Sequence, residues 1–340
     1  MAEKSTSSPF CTLFNESCIT GARKHIADNS IDLIITDPPY GIKGDTLHKH
    51  YNRDETHVVD GYVEIPEKEY GEFSEQWIAE AARILRPGGS IYIVSGYSNL
   101  YHILNALRKT QLVEINHIIW KYNFGVWTSR KYISSHYHIL YYEKPGDRRT
   151  FNLESRFGSG EKDDSEGSLN YQDREDVWTI NREYKPGQVK NKNELPKELL
   201  SKMILYSSSE GDIICDLFLG GGSTARAAIG LNRQAIGFEI SPFIFSVRAP
   251  EIANLEPGFL LSELRQPTCS APVRQGERWT NEAKEDLFLR YHELIAKNMK
   301  KGEIVRQLMT DLGRGKWAIM KALKGMEEKA IMQKNLDEDF

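Results

Sequence analysis

The chain has 340 residues, 40% of them hydrophobic and 27% charged, and a formal net charge of −4 at pH 7. This length and composition are typical of a folded globular protein and exclude a chain that is disordered throughout. No run of about 20 apolar residues is present, which excludes a membrane protein, and the start of the chain lacks the apolar segment of a secretory signal. We therefore expect a cytoplasmic protein.

The charges and the cysteines exclude further classes of protein. The net charge of −4 creates no global basic field, so binding to nucleic acid must depend on local patches such as residues 297–324, which hold eight lysines and arginines and two acidic residues. The four cysteines form no Cys-x-x-Cys pair, so neither a zinc knuckle nor a disulfide framework is expected. His48, His50 and His57 lie in a polar segment that we interpret as a solvated loop, and no metal site is predicted.

The aliphatic run Ile31–Thr36 predicts a buried strand that ends at Pro38 and Pro39, because proline cannot donate to a strand ladder. After a polar loop, apolar residues recur with the periods of helices and strands. The predicted elements are a helix over 77–85 broken at Pro87–Gly89, a strand over 90–94, a helix over 100–107, and strands over 115–120 and 138–142. Such alternation is typical of a parallel α/β sheet.

The periodicity is lost over residues 148–192, a polar stretch that we interpret as an insertion with little core of its own. The next predicted elements are a helix near 199–204, a strand over 212–218, a helix ending at 231 and a strand over 235–239. The proline-rich residues 248–278 predict a linker.

Helices are predicted after this linker, over 282–298, 302–312 and 316–324. The last two are short and joined by Gly313–Gly315, and the second of them is basic, so they have the outline of a helix-turn-helix. A small bundle for packing or dimerisation explains them equally well.

A glycine-rich segment, Gly220–Thr224, follows Asp216 where a predicted strand passes into a helix, and Glu239 ends the next strand. Glycines let the backbone approach a ligand closely, and an acidic residue at the following strand end can accept both hydroxyls of a ribose. The spacing matches neither a dinucleotide site nor a phosphate-binding P-loop. The pattern therefore predicts a nucleoside-containing cofactor, and the alternative is a tight turn without a ligand.

The tetrapeptide Asp37-Pro38-Pro39-Tyr40 follows the first predicted strand. A carboxylate beside a carbonyl that precedes a proline offers two acceptors in fixed geometry, because the proline ring locks φ and removes a competing N–H. Two converging acceptors suit an amino group with two hydrogens, and the ring of Tyr40 offers a surface on which a base can stack. The alternative is a Pro-Pro turn with an incidental aspartate.

Together the two motifs resemble those of the S-adenosylmethionine-dependent DNA amino-methyltransferases. Their order, with the tetrapeptide about 180 residues before the glycine segment, is similar to the β-class of that family. The resemblance covers residues 13–250 and implies a Rossmann-like methyltransferase sheet with helices on both faces and a polar recognition insertion. The apolar periodicity after residue 279 adds a small C-terminal all-helical domain. The implied segments are an N-terminal tail (1–12), a catalytic half (13–147), a recognition insertion (148–192), a cofactor-binding half (193–250), a linker (251–278) and a helical domain (279–336).

The resemblance also implies a mechanism and its residues. A base of double-stranded DNA is flipped out, Tyr40 stacks on it, and Asp37 with the Pro38 carbonyl orients its amine toward the methyl group of S-adenosylmethionine. The expected catalytic residues are Asp37, Pro38, Pro39 and Tyr40. The expected cofactor contacts are Asp216, Phe218, Gly220, Gly222, Ser223, Thr224 and Glu239. The expected base or DNA contacts in this region are Trp120, Tyr122, Arg148, Arg149 and Arg182. The basic character of the C-terminal helices, not the resemblance, adds Lys316 and Lys321 as expected DNA contacts.

Several alternatives stay open at this point. Aspartate at position 37 favours adenine N6 as the acceptor, with cytosine N4 as the alternative. A nicotinamide dehydrogenase would explain the glycine segment but not the tetrapeptide, and a non-enzymatic regulator would bind DNA through residues 279–330 alone. The resemblance further suggests a bacterial or phage-encoded protein, with a homodimer and a cognate restriction endonuclease as candidate partners.

Overall fold

The computed structural model describes residues 5–39, 65–123, 125, 127, 129–182, 194–267, 278–297, 299 and 301–326. These residues divide into two compact units. The sheet unit comprises the described residues of 1–156 and 171–266, and the helical unit comprises 157–170 with the described residues of 267–340. No helix in these ranges combines the length and the apolarity that crossing a bilayer requires.

The sheet unit is built on a mixed sheet whose described part has nine strands in the order β1-β2-β9-β8-β3-β4-β6-β5-β7. The strands are β1 (Ser5–Ser8), β2 (Cys11–Phe14), β3 (Ile31–Thr36), β4 (Leu85–Ser95), β5 (Val113–Lys121), β6 (His136–Glu143), β7 (Val177–Thr179), β8 (Ile213–Asp216) and β9 (Gln234–Phe238). All of them run in one direction except β1 and β6, which pair antiparallel with their neighbours.

Helices cover both faces of this sheet. In chain order the described helices between residues 18 and 253 are α1 (Cys18–His25), α2 (Tyr70–Ile84), α3 (Leu100–Leu107), α4 (Leu169–Asp173), α5 (Lys197–Ser207), α6 (Ser223–Gly230) and α7 (Pro242–Ala253). All of them except the short α4, whose residues are divided between the two units, contribute to the core clusters of the sheet. Side chains alternate across a strand, so Leu33 and Ile35 of β3 join one core cluster with α5 to α7, while Ile34 joins the other with α1 to α3. The expected α/β fold with helices on both faces is confirmed.

The expected parallel pairing is found among β2, β9, β8, β3 and β4, but not at β6, which lies antiparallel between β4 and β5. Antiparallel neighbours can be joined by a short connection, whereas parallel neighbours need a crossover, usually a helix. The sequence predicts no helix between β5 and β6. That absence was the available signal for the reversed strand.

The expected break at Pro87–Gly89 is also wrong, because α2 ends at Ile84 and β4 runs through these residues. Gly88 adopts a left-handed φ of 73°, and the register between β3 and β4 shifts at this point. The Gly88 amide still donates to the Lys144 carbonyl at 2.7 Å. A glycine at positive φ therefore forms a bulge here and does not terminate the strand.

Three segments in which no regular element was predicted pack into the sheet unit. Residues 5–14 form an edge hairpin in which β2 pairs with β9, and β7 of the insertion pairs with β5. Leu260, in the expected linker, packs so closely under α6 that a Cβ on Gly230 would lie 2.6 Å from its Cγ. Short strands and tails acquire their order from an existing sheet, so local periodicity does not reveal them.

The helical unit contains α8 (Asn281–Ala296), α9 (Lys301–Leu312) and α10 over residues 316–326. The expected helices of this region are confirmed. One hydrophobic cluster joins all three, with Leu287 from α8, Leu308 from α9 and Leu323 from α10 among its members.

Candidate active site

The two sequence motifs meet at one edge of the sheet. The parallel strands β3, β8 and β9 are neighbours, and Asp37, Asp216 and Glu239 lie at or directly after their carboxyl ends. The carboxyl ends of parallel strands form the crevice where ligands of open α/β sheets bind. We call this side of the sheet the carboxyl edge.

A hydrogen bond joins the two motifs directly. The Thr36 hydroxyl donates to Oδ1 of Asp216 at 3.0 Å, and the Phe218 amide donates to the same oxygen at 3.1 Å. Burial raises the pKa of the Asp216 carboxyl to about 6, while hydrogen bonds from Thr224, Phe218 and Thr36 lower it. The residue before Asp37 is therefore held against the strand that leads into the glycine segment.

Glycine is required at two positions of that segment, for different reasons. Gly220 and Gly222 adopt left-handed φ values of 50° and 78°. A Cβ on Gly222 would lie 2.3 Å from Cδ1 of Ile252, so packing against α7 requires glycine there. A Cβ on Gly220 would have no closer neighbour than the Phe218 carbonyl oxygen at 3.8 Å, so it would project into open space beside the loop. That space lets a ligand approach the backbone.

Glu239 is fixed by backbone groups on both of its carboxylate oxygens. Oε2 accepts from the Gly220 amide at 2.9 Å, and Oε1 accepts from the Ser241 amide at 2.7 Å. Burial raises the pKa of the Glu239 carboxyl, and these two amides lower it. A carboxylate has about four lone-pair positions, so acceptor sites are left for two hydroxyls of a ribose. The neighbouring Ile240 side chain is 54% exposed and offers an apolar surface for a base, so these residues fit a nucleoside.

Residues that are not among the expected cofactor contacts hold this arrangement in place. Asn15 Nδ2 donates to the Glu239 carbonyl at 2.7 Å. Arg226 of α6 donates from Nη1 to the Gly221 carbonyl at 2.6 Å and from Nη2 to Oε2 of Glu194 at 3.1 Å. An arginine in the otherwise alanine-rich α6 was the available signal. Ser223 and Thr224, both expected cofactor contacts, form the first turn of the same helix.

The Phe218 ring packs edge-on against Trp77 of α2, with ring centroids 5.4 Å apart, and lies 5.8 Å from the ring of Phe73. Phe218 was expected to contact the cofactor. Its ring instead links the glycine segment to α2, which also carries Tyr70. The cofactor contact stays a prediction.

Tyr70, the first residue of α2, supports the Pro38-Pro39 turn. Its hydroxyl donates to the Pro39 carbonyl at 2.7 Å, and both groups are buried. Burial raises the pKa of Tyr70 well above its usual value, and the charge of Asp37 raises it further, so the phenol stays protonated and can donate. Pro38 and Pro39 are buried, Asp37 is partly exposed, and Tyr40 lies outside the described residues.

Trp120 and Tyr122 are not equally accessible. Trp120 is 1% exposed, and its indole N–H donates to the Ile180 carbonyl at 2.8 Å. Its ring packs with those of Tyr122 and Tyr137, each 5.7 Å away. The Arg182 guanidinium lies 4.8 Å from the half-buried Tyr122 ring, at the carboxyl edge where β5 and β7 end. A base can reach Tyr122 and Arg182 more readily than Trp120, whose expected base contact would require the core to rearrange.

Arg148 and Arg149 are not brought near Asp37. They follow β6, and because β6 is antiparallel its end lies at the opposite edge, where the Arg148 carbonyl packs against Gly88. Arg149 Nε lies 3.2 Å from Oε2 of Glu143, and its Nη1 donates to the Tyr141 hydroxyl at 3.0 Å. Their expected DNA contacts stay predictions, and Arg149 has a structural role here.

The remaining expected residues lie elsewhere. Lys316 and Lys321 are exposed on α10 of the helical unit. His48, His50 and His57 lie outside the described residues. Within the ranges that are described, no cluster of three or more histidine, cysteine, aspartate or glutamate side chains is arranged to hold a metal ion.

Comparison with known proteins decides the family. The profile of the N6/N4 methyltransferases, described as DNA methylase, matches residues 31–249. The chain belongs to this DNA methylase family. It is 31% identical over 283 residues to the type II methyltransferase M.HpaI of Haemophilus parainfluenzae, covering 80% of this chain and 84% of the relative. It is 28% identical over 262 residues to M.HinfI of Haemophilus influenzae, covering 72% and 69%.

Solved structures share the fold of this DNA methyltransferase. A protein described as a DNA modification methylase from Thermus thermophilus, in complex with S-adenosyl-L-methionine, has a TM-score of 0.52 and 22% identity, covering 72% of this chain and 93% of its own. The PvuII DNA methyltransferase, described as cytosine-N4-specific, has a TM-score of 0.55 and 13% identity, covering 74% and 88%. At these identities the likeness concerns the fold alone.

Proposed function

We propose that the chain transfers the methyl group of S-adenosylmethionine to the N6 amino group of a flipped-out adenine in double-stranded DNA. The observation that carries this proposal is the hydrogen bond between Thr36 and Asp216, at 3.0 Å. It supports a site in which the acceptor pair expected at Asp37 and Pro38 lies beside the glycine segment. Direct transfer requires the amine and the methyl donor to be neighbours in a fixed orientation.

The cofactor half of the site suits this donor. Glu239 would accept the ribose hydroxyls, and the exposed Ile240 side chain would contact the base of the cofactor. The open space at Gly220 would allow the cofactor to approach the backbone closely. When bound, S-adenosylmethionine would supply an electrophilic methyl group, whose bond to sulfur breaks as the bond to the amine nitrogen forms, and the methylated amine then loses one proton to water. Arg226 holds the glycine segment in position through the Gly221 carbonyl.

The catalytic half orients the acceptor. The Asp37 carboxylate and the Pro38 carbonyl each accept one hydrogen of the exocyclic amine, which directs the nitrogen lone pair toward the methyl group. Tyr40 stacks on the base. Tyr70 donates to the Pro39 carbonyl and so keeps the turn in one conformation. A base lying in the stack of the duplex cannot reach this edge, which is why the base must be flipped out.

Adenine is proposed because position 37 holds aspartate. The fold does not decide between the two bases, since one of the structures that share it is described as cytosine-N4-specific. Arg182, above the Tyr122 ring at the carboxyl edge, supports a contact with the flipped base or its flanking phosphates. A homodimer and a cognate restriction endonuclease stay predictions of the family resemblance.

The test is to incubate the purified chain with unmethylated genomic DNA and S-adenosylmethionine, and to identify methylated nucleosides by mass spectrometry. We expect N6-methyladenine from the wild type and from Asp28→Asn, and a loss of at least about 1,000-fold in Asp37→Ala. Asp28 is a matched control because it precedes β3 at the opposite edge and its side chain is 68% exposed.

N4-methylcytosine in place of N6-methyladenine would retain the mechanism and overturn the choice of base. Failure to methylate DNA while S-adenosylmethionine binds would overturn the proposed activity. It would favour a regulator that binds DNA through the helical unit.

A further inference from the structure

Helix α10 has two faces of opposite character. Ile319, Ala322 and Leu323 are buried in the core of the helical unit. The residues exposed on the remaining surface include Lys316, Trp317, Lys321 and Lys324. We call Trp317, Lys321 and Lys324 the α10 face, and Lys316 precedes them at the start of the helix. The spacing of Trp317, Lys321 and Lys324 places them along one side of the helix, opposite the buried stripe.

The connection between α9 and α10 is short and held in place. Gly313 adopts a left-handed φ of 59°, which ends α9 and turns the chain. The buried Arg314 guanidinium lies 4.6 Å from the centre of the Trp279 ring. Leu308 of α9 and Ile319 of α10 share one hydrophobic cluster. The two helices are thus packed together across a three-residue turn, which is the construction of a helix-turn-helix.

Charge is distributed unevenly over the helices of this unit. Helix α10 carries three lysines and no acidic residue. Helix α8 carries four acidic residues against Lys284 and Arg290. The surface of α10 therefore complements a polyanion, whereas that of α8 does not.

Trp317 is the most exposed apolar side chain of the helical unit's described residues, at 87%. An indole that faces water between lysines contributes nothing to the core of its own unit. On a partner it can contact base edges and thymine methyl groups, while the lysines neutralise phosphates. This combination favours DNA over an acidic protein.

We propose that the α10 face enters the major groove of double-stranded DNA. A helix about 10–12 Å across fits this groove, and in helix-turn-helix proteins the first residues of the second helix contact base edges. Lys316 and Trp317 begin α10 and therefore contact bases, while Lys321 and Lys324 contact phosphates. The matched methylase region ends at residue 249, so α10 supplies a second DNA-reading element outside it.

The test measures binding of the full chain to labelled random-sequence DNA duplexes by fluorescence anisotropy over a range of salt concentrations. We expect the double variant Lys321→Gln, Lys324→Gln to weaken binding about 10-fold and to reduce the slope of log K against log salt by about 2. The matched control is Lys284→Gln, Arg290→Gln on α8, which removes the same charge and should leave the slope unchanged. Wild-type affinity for S-adenosylmethionine, together with an unchanged circular dichroism spectrum, checks that each variant is folded.

Trp317→Ala should weaken DNA binding about 5-fold without changing the salt slope, and Trp317→Phe should restore most of the loss. Equal slopes for the α10 variant, the α8 variant and the wild type would overturn the proposal. A change in molecular mass of the α10 variant in solution would overturn it too, since the face would then be a contact between copies of the chain. Both results are independent of Asp37→Ala, which tests the transfer chemistry alone.

Discussion

The two sides of the carboxyl edge are built differently. At the ends of β8 and β9, Asp216 and Glu239 are buried and receive hydrogen bonds from backbone amides. At the ends of β4 and β5 and before β6, aromatic side chains project into water, and Tyr97 and Tyr132 are 83% and 97% exposed. A small cofactor is bound by a preformed set of groups, whereas a DNA duplex is contacted by side chains that extend from the surface.

The largest expected effect is a pH-dependent change in the free energy of unfolding, and it arises on the cofactor side of the carboxyl edge, at Asp216. Burial raises the pKa of Asp216 to about 6 in the folded chain, against 3.8 for the ordinary group. The folded state therefore binds this proton more tightly, so the free energy of unfolding falls as pH rises through this interval and is constant above it. We expect the wild type to lose about 3 kcal/mol relative to Asp216→Asn between about pH 4 and pH 7.

Urea unfolding of both proteins across this pH range checks the expectation. Titrating groups that do not interact with Asp216 are common to the two proteins and cancel in the difference. The charge of Asp216 raises the pKa of Glu239, so Glu239 contributes to the difference as well. A difference that does not vary with pH would mean that Asp216 titrates normally, and the contrast between the two sides of the edge would weaken.

The second-largest expected effect is a loss of affinity for S-adenosylmethionine on replacement of Glu239. In Glu239→Gln the side-chain amide nitrogen cannot accept, so either the Gly220 or the Ser241 amide loses its partner. We expect the affinity for S-adenosylmethionine to fall about 100-fold in calorimetric titration.

Glu251→Gln is the matched control for Glu239→Gln. The Glu251 side chain on α7 is 53% exposed and forms a surface ion pair with Arg248, and such pairs contribute little to stability. Its removal should leave the cofactor affinity at the wild-type value. Equal affinities of the two variants would contradict a preformed ribose site.

The smallest expected effect is on the KM for DNA, and it arises where exposed aromatic side chains follow β4 and β5. Tyr132→Ala should change the free energy of unfolding by less than about 0.5 kcal/mol and leave cofactor affinity unaltered, because the ring is almost fully exposed. The KM for DNA should rise about 3-fold, since an aromatic contact to the duplex is lost. Leu289→Ala, which removes an exposed apolar side chain of α8 outside the expected recognition insertion, is the control. A marked loss of stability in Tyr132→Ala would show that this side is preformed as well.

Much of the fold could be predicted from local pattern. The strand Ile31–Thr36 has the predicted bounds, and the helices of the C-terminal region begin and end within about two residues of expectation. Both are set by residues close together in the chain. The hairpin of residues 5–14 and strand β7 could not be predicted, because their order comes from pairing with strands distant in sequence.

The sequence by itself determined which residues can carry chemistry, because a Pro-Pro turn after Asp37 and glycines before Ser223 are local properties of the chain. Only the tertiary structure decided their arrangement. It joined Thr36 to Asp216, buried Trp120, and placed Arg149 at the edge opposite Asp37. Strand order and strand direction decide these positions, and both depend on packing between segments that are far apart along the chain.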